Sequence, residues 1–134
     1  MENTHIHSSF DNDLNKLNDN LLKLGNTALE QFDNCINNFG TQNLEEIEKV
    51  VGGDTILDDL DDRVQKLGFE IIALRSPQAA DLRRIIVALK IATIFERIGD
   101  YSRNISNRTK LLIELNYSDL PGVNIGKMGQ KTLT

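Results

Sequence analysis

The stretch SPQAADLRRIIVALKIATIFERIGD, residues 76–100, decides how this chain folds. Ser76 is a natural N-cap, and Pro77 suits a first helical position, where its missing N–H costs nothing. Asp81 falls early, where the helix dipole favours a negative charge. From there to about Leu115 only Gly99 breaks the pattern, so one long helix is expected. Two lines run along it at helical spacing. One, Val87, Ile91, Ile94, Ile98 and Ile105, is apolar throughout. The other, Leu82, Ile86, Leu89, Thr93, Glu96 and Asp100, begins as core and turns acidic. Arg83, Lys90 and Arg97 lie off this second line and are expected to face water.

Upstream the same spacing recurs. Phe10, Leu14, Leu17, Leu21, Leu24, Ala28, Phe32, Cys35 and Phe39 form a helical stripe that makes Cys35 a core residue. Leu22, Leu29 and Ile36 add a line at heptad spacing, so this helix is expected to touch two neighbours. Asn37, Asn38 and Gly40 predict its end. TQNLEEIEKV, residues 41–50, reads as a short helix with Leu44, Ile47 and Val51 inward, weakened or bent by Gly52 and Gly53. The period resumes at Leu57, Leu60, Val64, Leu67, Ile71 and Leu74. Gly68 inside that run costs about 1 kcal/mol relative to Ala, which close packing against a neighbour would explain. The expected fold is all-α: an antiparallel three-helix bundle over residues 1–115 with a kinked or split second helix. NYSDLPG, residues 116–122, reads as a turn, and residues 116–134 as a linker and the start of an incomplete second repeat.

Composition supports helices. Aromatics make up 5 % of the 134 residues and Trp is absent, whereas β sandwiches favour aromatic and β-branched side chains. A net charge of −5 with no basic stripe argues against nucleic acid. No apolar run approaches the ~18 residues of a membrane span. The polar, acidic start MENTHIHSSFDND does not read as a secretory signal. The single Cys35 cannot form an internal disulfide, so a reducing cytoplasm is expected. His5 and His7 are expected to lie in a floppy end.

Glu96 and Asp100 stand four apart on one helical face, where carboxylates repel unless something positive lies between them. One pair offers too few ligands for a hard cation. GDTILDDLDDRV, residues 53–64, supplies a second pair in Asp54 and Asp58. In a hairpin turning near Ser76 the two pairs reach the same height of the bundle. Spacing alone does not decide the matter. The 20 acids make about three i,i+4 pairs by chance, and three occur, at 54/58, 58/62 and 96/100. Arg63, Arg97 and Arg103 could pair them as surface salt bridges. No Glu-x-x-His motif, no nucleophile with a base and no phosphate loop appear, which argues against an enzyme.

Residues 71–107 carry ALRSPQAADLR, ALKIAT and ERIGD followed by NI, and these pieces together resemble the PhoU family. A weaker likeness covers most of residues 8–110. The resemblance implies a cytoplasmic, non-enzymatic regulator that restrains the high-affinity phosphate ABC transporter and links it to the sensor histidine kinase of phosphate starvation. It further implies two three-helix repeats with acidic motifs that bind transition-metal ions such as iron, zinc or manganese. Asp54, Asp58, Glu96 and Asp100 match those motifs, and Arg75, Asp81 and Arg83 match the linker motif, where capping and salt bridging are the plainer roles. A chain with one repeat would leave apolar surface exposed, so a homodimer is expected. The alternative is a helical interaction module with no bound metal.

Overall fold

The computed structural model describes residues 2–115, with side chains from residue 9 onward; the turn and tail expected over 116–134 lie outside the described residues. Every element among the described residues is helical: α1 (Glu2–Thr41), α2 (Leu44–Gly52), α3 (Asp54–Arg75) and α4 (Ala79–Glu114). The second helix is split rather than kinked, with Gly53 closing α2 and opening α3. The backbone of α1 is helical from Glu2, so His5 and His7 sit on a helix and not in the floppy end expected for them.

α1, α3 and α4 form the bundle. Asp13 meets Arg75 at one end and Gln31 meets Gly53 at the other, so α3 runs antiparallel to α1. Gly25 lies against the Phe95 ring, so α4 returns parallel to α1. The core gathers Leu17, Leu24 and Ala28 from α1, Leu57, Leu60, Val64 and Ile71 from α3, and Ile85, Ala88 and Ala92 from α4. Each large aliphatic among them contributes about 1.5–3 kcal/mol by leaving water. α2 packs on the far half of α4, capped by Asn43, whose Oδ1 accepts from the N–H groups of Glu45 and Glu46 at 3.1 and 3.3 Å.

Several expected positions shift. α1 touches two neighbours, α3 and α4, as expected, but not through Leu22 and Leu29, which are exposed. Val50, next to the expected Val51, fills the core, while Leu44 and Leu74 lie at element ends and face water. α1 passes Gly40 and stops at Thr41, where Gln42 turns left-handed at φ 57°. Ser76 does not cap α4. It closes α3 in a left-handed conformation at φ 43°, its N–H donating to the Ile72 carbonyl, and Gln78 takes the N-cap position of α4. A residue engaged in ending one helix cannot also hold the extended backbone of an N-cap.

The largest correction concerns α4. Its buried line is Ile85, Ala88, Ala92, Gly99, Ser102, Ser106 and Thr109. The expected apolar and acidic lines flank that line on either side. Small and hydroxyl residues do not signal a core by polarity, yet they are what a close helix–helix contact needs.

Candidate metal centre

Asp54 and Asp58 open α3, and Glu96 and Asp100 sit on the facing stretch of α4. The antiparallel α3–α4 pair brings them to one height. One carboxylate oxygen each from Asp54, Asp58 and Asp100 lie within 4.8 Å of one another. Glu96 lies near Asp100 and Asp58, whose charges act on it. Three of the four residues picked out in the sequence thus converge, and Glu96 lies beside them.

Gly99 makes this approach possible. A Cβ there would meet the terminal Cδ1 of Leu57, so a larger residue would have to displace that methyl at the level of the acids. Gly68 does the same lower down, where a Cβ would meet Leu89 Cδ2 at 2.5 Å; this is the close packing the sequence called for. At the start of α3, Gln31 Nε2 donates to the Gly53 carbonyl at 2.9 Å and anchors the turn that presents Asp54. The sequence reading missed the part played by Gly99 and Gln31. An isolated glycine beside an acid, inside an unbroken helix, was the available signal.

The electrostatics are those of crowded carboxylates. Burial, then the neighbouring Asp100 and Asp58, push Glu96 from its ordinary 4.5 up to about 7. Burial and then Asp58 raise Asp54, against the pull of Arg103. Burial also raises Asp61, which accepts a hydrogen bond from Gln65. Among the described residues one cation answers this charge: the Arg103 guanidinium pairs with Asp54 Oδ2 and lies 3.6 Å from Asp100 Oδ1. Of the three arginines expected to pair locally, only Arg103 does so among the described residues. Arg75 instead ties α3 to α1 through Asp13 at 3.2 Å.

Asp54 Oδ1 is buried without a hydrogen-bond partner among the described residues. A buried carboxylate oxygen left unpaired is costly. Asp54, Asp58 and Asp100 together offer a set of oxygen donors, which hard and borderline divalent cations accept. The residues thus fit a cation, with Asp54, Asp58 and Asp100 as donors and Glu96 beside them. Cys35, buried in the core as expected, lies near Ser106, and burial pushes its thiol up.

The molecule is an all-α bundle in which two antiparallel helices pool their carboxylates over a glycine contact. Residues 21–109 match the family model described as the PhoU domain. The chain is 33 % identical over 126 residues to the phosphate-specific transport system accessory protein PhoU homolog of Caulobacter vibrioides (strain NA1000 / CB15N), covering 94 % of this chain and 55 % of that protein. The protein of the same description from Clostridium acetobutylicum is 32 % identical over 123 residues, covering 91 % of this chain and 56 % of the relative. That from Rhizobium meliloti (strain 1021) is 33 % identical over 108 residues, covering 81 % and 46 %. The chain belongs to the PhoU family. It spans about half the length of the curated relatives it matches.

Proposed function

We propose that this chain is a regulator of phosphate uptake that negatively modulates the high-affinity phosphate ABC transporter and phosphate-starvation two-component signalling. It acts as a non-enzymatic, metal-binding helical adaptor on the cytoplasmic side. Its partners are the transporter's ATPase subunit and the sensor histidine kinase, and it self-associates as a homodimer. The relatives' description as accessory proteins of phosphate-specific transport supports the transport role. Among the described residues no helix is long and apolar enough to cross a membrane.

The observation that carries the metal reading is the Asp54–Asp58–Asp100 cluster with its unpaired buried oxygen. A bound transition-metal ion would neutralise the crowded charge and tie the start of α3 to α4. Metal analysis of protein purified without chelator tests this. The native chain is expected to retain metal, and the double variant Glu96→Ala/Asp100→Ala to lose it. Equal, negligible metal in both would defeat the metal reading. A pull-down of the ATPase subunit and the kinase with the native chain tests the adaptor reading separately.

A second reading, a helical interaction module with no metal, draws on Arg103. Its guanidinium already bridges Asp54 and Asp100 and supplies part of the countercharge from within the chain.

A further inference from the structure

We propose that the outer α1–α4 face is the site where a second copy of this chain docks. The two-fold axis runs parallel to the helices, so that each α1 lies along its partner's α4. This deepens the self-association reading above and rests on it; the adaptor and metal readings stand apart.

The face is apolar and open. Leu22 and Leu29 of α1 are 64 % and 55 % exposed, and Val87 and Ile94 of α4 are 51 % and 54 % exposed. Between the helices, next to Val87 and Ile91, lies a trough of about 330 Å³ that Arg84 borders. On α4 these residues belong to an unbroken alternation of steps of three and four, 84, 87, 91, 94, 98, 101, 105 and 108, which is the spacing of a helix seam that meets another helix. Large exposed apolar stripes of this kind mark interaction surfaces.

Charge names the occupant and its orientation. Arg84 and Arg108 bracket the apolar residues of α4. Asp11 and Asp33 bracket Leu22 and Leu29 on α1. All four are exposed, and none has an ion-pair partner among the described residues. The register follows from two contacts: Gly25 lies against Phe95 and Cys35 beside Ser106, so a residue of α1 sits level with the α4 residue about seventy positions later. Asp11 is then level with residue 81 and Asp33 with residue 103. In a dimer whose helices run in the same direction, each Asp falls within three to five residues of an Arg on the partner's α4. That is about 4.5–7.5 Å along the axis at 1.5 Å per residue, within the reach of an arginine. The same alignment sets the apolar part of α1 against that of the partner's α4. In the reversed orientation α4 faces α4, and Arg84 opposes the partner's Arg108. The charges therefore select the parallel arrangement.

Sedimentation equilibrium of the full chain, with cross-linking, tests the proposal. The native chain is expected to form a dimer, and Ile94→Glu to weaken it at least tenfold without changing the helical circular dichroism, because the side chain is exposed. Arg84→Glu weakens it less, and Asp11→Arg in the same chain restores it. This pair of charge variants keeps the test alive should Ile94→Glu misfold. In a mixture of Leu22→Cys and Ile94→Cys chains, mild oxidation is expected to join one variant to the other. Cys35, 1 % exposed, stays out of the exchange. A monomer at tens of micromolar overturns both the dimer and this geometry. A dimer that joins Ile94→Cys to Ile94→Cys, or that ignores Ile94→Glu, overturns the geometry alone.

Discussion

The two halves of α4 pack by different rules. In the half next to the α3–α4 turn, Ile85, Ala88 and Ala92 are buried against Leu17, Leu24, Val64 and Ile71, an apolar interlock of ordinary side chains. In the far half the buried positions are Gly99, Ser102, Ser106 and Thr109, the hydroxyls of Ser102 and Thr109 donating back to the carbonyls of Ile98 and Ile105 at 3.0 and 2.9 Å. The first half is held by burial. The second gives up side-chain volume so that helices can approach and bring carboxylates face to face. The apolar residues buried around that half, Cys35, Ile47, Val50 and Leu57, come from the other helices.

Truncating a core residue on each side breaks the comparison most sharply. Ile85→Ala should cost about 2–5 kcal/mol, as large-to-small changes in a packed core do. Ser106→Ala should cost less than about 1 kcal/mol or stabilise slightly, because its buried Oγ has only the Cys35 thiol near it and no full hydrogen bond. Urea denaturation of both variants measures the contrast. Equal losses would mean that the far half is held by the same apolar packing.

Filling the glycine contact comes next in size. Gly99→Ala gains about 1 kcal/mol of helix propensity. It also presses on the fully buried Leu57, an overpacking that costs about 1–3 kcal/mol. The net expectation is a modest loss of stability, with metal retention lowered to the extent that α4 rather than the Leu57 side chain moves. Unchanged metal retention in a folded Gly99→Ala protein would remove Gly99 from the account of the site.

The smallest effect is in pH. Glu96 titrates near 7 in the folded chain and near its ordinary 4.5 when unfolded, so between these values the folded state holds more protons. Its contribution to stability is full below about 4.5 and lost as the pH rises through about 7. Metal-free protein should therefore melt at a lower temperature at pH 8 than at pH 5.5. Glu96→Gln should flatten that slope, and one that stays as steep would assign it to other groups.

Much of this was legible in the sequence. The three-four alternation gave the helices, because a helical period leaves its mark wherever one face is buried. The acids were legible too, because Asp54 and Asp58 lie 22 and 18 residues before Ser76 and Glu96 and Asp100 lie 20 and 24 after it, similar distances that bring them to about one height in a hairpin. What escaped was the face of α4 that lies innermost. The two conspicuous lines, one isoleucine-rich and one ending in acid, flank the buried line of Ala88, Ala92, Gly99, Ser102 and Ser106. Period fixes which residues share a face, whereas the neighbours decide which face turns inward, and a glycine or serine wins that place by being small. Leu22 and Val87 teach the converse, since leucine and valine follow the helical period yet remain open to water until something packs on them. The chain alone thus determined its helices, their order and the meeting of the carboxylates. Only the packed structure decided how closely α3 and α4 approach, which arginine answers the acids and which apolar face stays uncovered, because those depend on contacts between residues far apart in sequence.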